Sequence, residues 1–88
     1  MNQNSNIVIE RLSNDATVSG IGPIVAQYGR VARLVVEHDP SSEPSSATCW
    51  ITFSRRSDAS RAIRNLHNRV IAGRRVTAKW ADADRSHT

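Results

Sequence analysis

Ser46-Ala47-Thr48-Cys49-Trp50-Ile51-Thr52-Phe53 decides how the rest of the chain is read, because it alternates strictly and sets one large aromatic among small polar side chains. In an extended conformation, period-two alternation sends Ala47, Cys49, Ile51 and Phe53 to one face and Ser46, Thr48, Trp50 and Thr52 to the other. The first set is a core face. The second is a polar strand face except at Trp50, whose flat ring offers a nucleobase or a protein side chain a large contact area at low conformational cost.

Upstream of this strand lies a short β-rich run, Ile7-Val8-Ile9-Glu10-Arg11-Leu12, and then a turn over Ser13 to Ala16. Ile21, Ile24, Val25 and Tyr28 follow at helical spacing within Thr17 to Tyr28, and Gly29 closes the segment. Gly20, Gly22 and Pro23 weaken the first half of this helix, which is therefore expected to kink or to start only near Gly22. Val31 to Glu37 alternates as a second strand, with Val31, Leu34 and Val36 inward and Arg33, Val35 and Glu37 outward. Asp39 to Ser45, carrying Pro40 and Pro44, is a loop. Beyond the Trp50 strand, Ser57 to Leu66 is a second helix that turns Ala59, Ala62, Ile63 and Leu66 inward and leaves Arg56, Arg61 and Arg64 in solvent, with Ser57 placed as its N-cap. Gly73 marks a turn, and Val76 to Trp80 is the last strand, whose parity groups Trp80 with Val76 and Ala78 in the core.

The order βαββαβ points to an α+β, ferredoxin-like plait: a four-stranded antiparallel sheet with both helices on one face and the other face free. By parity the free face carries Val8 and Glu10, then Arg33, Val35 and Glu37, then Thr48, Trp50 and Thr52, then Thr77 and Lys79. It is a mixed surface with an apolar centre. Residues 7–81 are expected to form the domain, with flexible tails at 1–6 and 82–88.

Composition narrows the function. Eighty-eight residues, 39% hydrophobic and 23% charged, fit one small domain. The single cysteine excludes an internal disulfide framework and a Cys-pair zinc site, and the three histidines lack metal-ligand spacing, so neither metal nor cofactor is expected. No nucleotide-binding glycine loop, catalytic carboxylate pair or nucleophile–base motif is present, which argues against an enzyme. The chain opens on no charged-then-apolar leader and has no apolar run near the roughly 18 residues of a membrane span, as expected of a soluble intracellular protein without a membrane partner. The net charge is +4, and eleven of the twelve basic residues are arginine, the side chain best suited to bidentate phosphate or carboxylate contacts. An acidic partner is expected.

From about Asn6 to Ala81 the chain resembles the RNA recognition motif (RRM) family. Ile7 to Leu12 falls on that family's six-residue ribonucleoprotein motif and Ser46 to Phe53 on its eight-residue one. Tyr28-Gly29 falls on the end of its first helix, and Asp58-Ala59-Ser60-Arg61-Ala62-Ile63-Arg64-Asn65-Leu66 on its second. The resemblance implies strand order 4-1-3-2, which sets the two motifs side by side at mid-sheet, where the family's aromatics stack two or three bases. In this chain Val8 and Thr48 hold two of the three stacking positions, Ser46 replaces the basic first residue of the longer motif, Ala47 replaces its glycine, and only Trp50 is aromatic. If a base stack is worth roughly 1 to 3 kcal/mol, losing two removes on the order of 2 to 6 kcal/mol, or about 10² to 10⁴ in affinity. The implied partner is single-stranded RNA, bound weakly by the domain alone and within a larger RNA-processing or ribonucleoprotein assembly, in the nucleus ahead of the cytoplasm. Its contacts are expected at Val8, Arg33, Thr48, Trp50, Thr52 and Lys79.

Three features favour a protein partner or a second copy of the chain. Arg69-Val70-Ile71 sits where the UHM subclass of RRM-like splicing modules carries an Arg-x-Phe segment that grips a peptide tryptophan, and it keeps the arginine but not the aromatic. The junction Phe53-Ser54-Arg55-Arg56-Ser57-Asp58-Ala59 is similar to that of the RRM in mRNA export adaptors. Finally, Ala16 to Gly29 contains no charged residue, and Gly20, Gly22 and Ala26 would admit another backbone closely. The alternative function is therefore a protein–protein module of RNA processing that uses Gly20, Gly22, Gln27, Arg69 and Ile71.

Overall fold

The computed structural model describes residues 4–39, 41 and 45–81. The elements run β1 (Asn6–Ser13), α1 (Val18–Ala26), β2 (Val31–Asp39), β3 (Ser46–Phe53), α2 (Arg56–Leu66), β4 (Val70–Ile71), β5 (Arg74–Arg75) and β6 (Thr77–Trp80). The main sheet has order β2-β3-β1-β6 and every pairing in it is antiparallel, so with β6 as the fourth long strand the expected 4-1-3-2 plait is present. The core lies between the sheet and the two helices. Phe53, Ile7, Ile9, Leu12, Ile51, Leu66 and Val25 are its largest fully enclosed side chains, each worth about 1.5 to 3 kcal/mol in transfer from water.

β3 alternates without a break, Ala47, Cys49, Ile51 and Phe53 buried and the residues between them part-exposed. Its two neighbours do not. Ile9 pairs with Cys49 but Leu12 with Ala47, so two residues of β1 oppose one of β3, and Arg11 takes a φ of 68° at this bulge. The extra residue resets parity and brings Leu12 into the same core as Ile7 and Ile9. A second bulge in β2, where Val31 pairs with Phe53 but Arg33 with Thr52, lets Val31 and Leu34 both pack on the core despite opposite parity.

The expected late start of the first helix is not observed. Thr17 caps it, its side chain accepting from the Gly20 N–H at 3.1 Å, and the helix begins at Val18 with Pro23 inside. A hydroxyl that satisfies an orphan donor outweighs the weak local propensity. Ser57 is not the cap of α2. Arg55 holds that position with no side-chain bond, and the helix starts one residue ahead of Ser57. At the chain start, residues 4–6 belong to the fold rather than to a tail. Asn4 donates to the Ala81 carbonyl at 2.7 Å and its own carbonyl accepts from Arg56 at 2.8 Å, while the Ser5 carbonyl accepts from the Phe53 N–H at 3.0 Å. The remaining tail positions, 1–3 and 82–88, and residues 40 and 42–44 of the expected loop lie outside the described residues.

The connection from α2 to β6 is itself a hairpin. Val70 pairs with Arg75 and Ile71 with Arg74, and the turn residues Ala72 and Gly73 have φ of 52° and 82°. Positive φ at both central positions defines a type I′ turn, which favours Asn-Gly. Alanine in the left-handed region costs roughly 1 to 2 kcal/mol. Ala72→Asn is expected to recover about 1 kcal/mol and raise the thermal midpoint by roughly 4 to 8 °C; an unchanged or lower midpoint in a calorimetric scan would contradict the turn assignment.

Cys49 sits fully enclosed in the core, and burial pushes its thiol from the ordinary 9.0 up to about 12. The thiolate is the nucleophile, so native Cys49 should resist iodoacetamide at pH 8 and react once urea unfolds the chain. Stability from this group is complete below about pH 9 and is lost as pH rises from there toward 12, because only the unfolded chain ionises readily in that window. Rapid native alkylation would place the thiol outside the core.

Candidate nucleic-acid interface

The free face of the sheet is built in three rows. Across β6, β1, β3 and β2, the middle row reads Lys79, Val8, Trp50 and Val35. Toward one end, Asn6, Thr52 and Arg33 form a second row. Toward the other, Thr77 pairs with Glu10 and Thr48 with Glu37 on either side of the β1 bulge. All six residues expected to contact RNA, Val8, Arg33, Thr48, Trp50, Thr52 and Lys79, therefore come together on one surface.

Their accessibility differs from the expectation at Val8. It is only 3% exposed and yet absent from the core between sheet and helices. Trp50 and Lys79 are its direct neighbours on the two flanking strands. Val8 is thus the floor of the surface and not an open stacking position. Trp50 is part-exposed, and its Nε1–H donates to Glu37 Oε1 at 3.0 Å, which holds the ring toward β2. Around it, the Thr52 hydroxyl donates to Asn6 Oδ1 at 2.6 Å and Lys79 Nζ pairs with Glu10 Oε1 at 3.3 Å. Asn6 is a face residue that sequence reasoning placed in the tail; continuing the β1 register one residue upstream of Ile7 would have found it.

The face is close to neutral. Two carboxylates, Glu10 and Glu37, offset Lys79 and Arg33, so a phosphate backbone laid here must displace the Lys79–Glu10 pair and pass near Glu37. Such exposed pairs are worth about 0 to 1 kcal/mol and are exchangeable. The remaining attraction is stacking on one indole and hydrogen bonding from Thr48, Thr52 and Asn6.

The five residues expected at a protein surface do not form one site. Ile71 is 8% exposed and part of the core cluster, because the hairpin turns it under the sheet–helix interface, so it is not available to grip a peptide. Arg69 is exposed and donates to the Tyr28 hydroxyl at 3.3 Å. Gln27 is exposed at the end of α1 and donates to the Ile24 carbonyl. Gly22 has open space where a side chain would be. Gly20 lines an apolar groove of 220 Å³ with Leu12, Ala16, Ile24 and the edge of Ile71. Trp80 packs against the core as expected, with the Arg56 guanidinium 4.1 Å above its ring. The paired arginines 74 and 75 are tied to main chain, Arg74 to the Ser45 carbonyl at 2.7 Å and Arg75 to the Asn68 carbonyl at 2.7 Å.

Residues 7–77 match the family model described as RNA recognition motif, and the chain belongs to that family. Among curated relatives, it is 27% identical over 77 residues to the U11/U12 small nuclear ribonucleoprotein 31 kDa protein of Arabidopsis thaliana, covering 88% of this chain and 30% of that one. It is 23% identical over 75 residues to the serine/arginine-rich splicing factor SC35 of the same plant, covering 85% and 25%. The chain thus spans only about a quarter to a third of these relatives. Solved structures agree on the fold. The third RRM of Pes4 superposes with a TM-score of 0.80 at 17% identity, over 96% of this chain and 99% of that one. The RRM of Rna15 with bound RNA (GU) superposes at 0.79 and 21%, over 96% and 90%.

Proposed function

We propose that this domain is a non-catalytic module that contacts single-stranded RNA through its sheet face, weakly by itself, within a larger RNA-processing or ribonucleoprotein assembly in the nucleus. The observation that carries the proposal is the middle row, a part-exposed Trp50 held at the centre of the sheet beside Val8, with hydroxyls and Lys79 around it. One indole supports one base stack, worth about 1 to 3 kcal/mol, and a near-neutral surround adds little electrostatic attraction. Modest affinity follows from those two facts. The relatives, a small nuclear ribonucleoprotein and a splicing factor, support the assembly and the compartment.

Titrating the domain with a short mixed-sequence RNA while following backbone amides by NMR tests this. Shifts are expected at Asn6, Trp50, Thr52 and Lys79, with the outer surface of α1 silent. A sheet face that stays silent at millimolar RNA would end the proposal. It would favour the second reading, a protein-binding module, which the apolar groove beside Gly20 and the exposed Val18 (54%) and Val70 (55%) support.

A further inference from the structure

Among the described residues, the net positive charge of this protein is not on its proposed RNA face, where Glu10 and Glu37 offset Lys79 and Arg33. Five arginines, Arg30, Arg55, Arg61, Arg64 and Arg69, are exposed and are carried by α2 or by the segments that flank it and the end of α1. Hydrogen bonds locate them. Arg61 donates to the Tyr28 carbonyl at 3.2 Å and Arg69 to the Tyr28 hydroxyl at 3.3 Å, so two guanidiniums converge on one residue. Arg30 lies two residues further on, and its carbonyl accepts from the Ser54 N–H, next to Arg55. Arg64 is one turn along α2 from Arg61 and donates to Ser60 Oγ at 3.4 Å. Among the described residues, one carboxylate, Asp58, faces this cluster, and Arg61 pairs with it at 2.9 Å.

Three properties identify what such a surface recognises. The guanidinium of Arg69 is anchored by its bond to the Tyr28 hydroxyl and that of Arg61 by its bonds to the Tyr28 carbonyl and Asp58, which orients their other N–H groups, the preorganisation that makes arginine effective on phosphate. No aromatic ring is displayed: Tyr28 is part-buried and its hydroxyl is engaged, so bases have nothing to stack on. The outer residues of α2, Ser57, Ser60, Arg61, Arg64 and Asn65, are all polar, whereas a protein interface needs an apolar centre. Single strands are held by stacking as well as charge. A double helix hides its bases and displays phosphates, and is read by shape and backbone contacts.

We infer that the α2 arginine surface binds the phosphate backbone of a double-helical RNA segment, independently of sequence and on the opposite side of the domain from the Trp50 face. The two surfaces let one domain hold a single strand and a neighbouring stem together. This second surface does not depend on the first.

The test uses the full chain, a 20-base-pair RNA duplex, a single strand of the same length and a poly-glutamate peptide, followed by fluorescence anisotropy from 50 to 200 mM salt. Wild type should bind the duplex with a steep salt dependence. The triple variant Arg30→Gln/Arg55→Gln/Arg64→Gln, which removes no anchoring bond to Tyr28, should weaken duplex binding about tenfold or more and flatten the log–log salt slope by roughly 2 to 3. Trp50→Ala should leave duplex binding unchanged while weakening the single strand, which separates failure at this surface from failure at the sheet face. Circular dichroism verifies that the triple variant is folded. Undetectable duplex binding by wild type, equal duplex affinity in the triple variant, or poly-glutamate binding as tight as the duplex would each overturn the inference, the last by assigning the surface to an acidic protein segment.

Discussion

Trp50→Ala is expected to weaken binding of single-stranded RNA by about 1 to 3 kcal/mol, or about 5- to 150-fold, in a fluorescence-anisotropy titration. Trp50 is the sole aromatic in the rows of the sheet face and has Val8 on one side and Val35 on the other, so its removal leaves two aliphatic side chains and no flat ring. Trp50→Phe separates the ring from its hydrogen bond. Phenylalanine keeps a ring for stacking but loses the Nε1–H that donates to Glu37. It should retain most of the affinity that alanine loses. Equal affinities for wild type and Trp50→Ala would remove the stacking platform, and a phenylalanine variant as weak as alanine would move the effect from the ring to its hydrogen bond.

The second large effect is expected at Gly29, on the helix side of the domain. A Cβ placed on Gly29 would lie 2.6 Å from the Asp58 Cβ and closer still to its carboxylate, a separation that packed atoms do not tolerate. The end of α1 and the first turn of α2 approach this closely because the Ser54 N–H is bonded to the Arg30 carbonyl and Arg61 to the Tyr28 carbonyl, which clamps the two helices together at this corner. Gly29→Ala must therefore push α2 outward or displace Asp58 from its pair with Arg61. Overpacking of this kind costs about 1 to 3 kcal/mol, a large share of the stability of a small domain. Urea denaturation should show a lower midpoint at unchanged slope. In an Asp58→Gly background the cost should shrink, since the colliding Cβ and carboxylate are gone, and strictly additive effects would show that the two positions are not in contact.

Much of the fold was written in the order of side chains. The unbroken alternation of Ser46 to Phe53 gives β3 its two faces in any environment, because successive residues of a strand must point to opposite sides. Those faces then match in the structure, with Cys49, Ile51 and Phe53 enclosed and Trp50 half-open. The helical spacing of Ala59, Ala62 and Leu66 likewise selects the buried stripe of α2. Once these elements are placed in the order βαββαβ, the free sheet face and the gathering of Thr48, Trp50, Thr52 and Lys79 on it follow.

What local pattern could not supply came from contacts between distant segments. The β1 bulge resets the parity of Leu12, and a bulge exists only relative to a partner strand. Val8 has the parity of an exposed residue and is nonetheless closed off, since its burial is decided by what stands opposite it on β3 and β6. Ile71 looked like part of a loop open to a ligand and is core, because a turn with two positive φ angles folds it inward. The same holds for charge. Composition alone determined that this chain carries +4, with eleven of its twelve basic residues arginine; the tertiary structure decided that the sheet face is near neutral and that Arg61 and Arg69, eight residues apart, converge on Tyr28 at the end of the first helix.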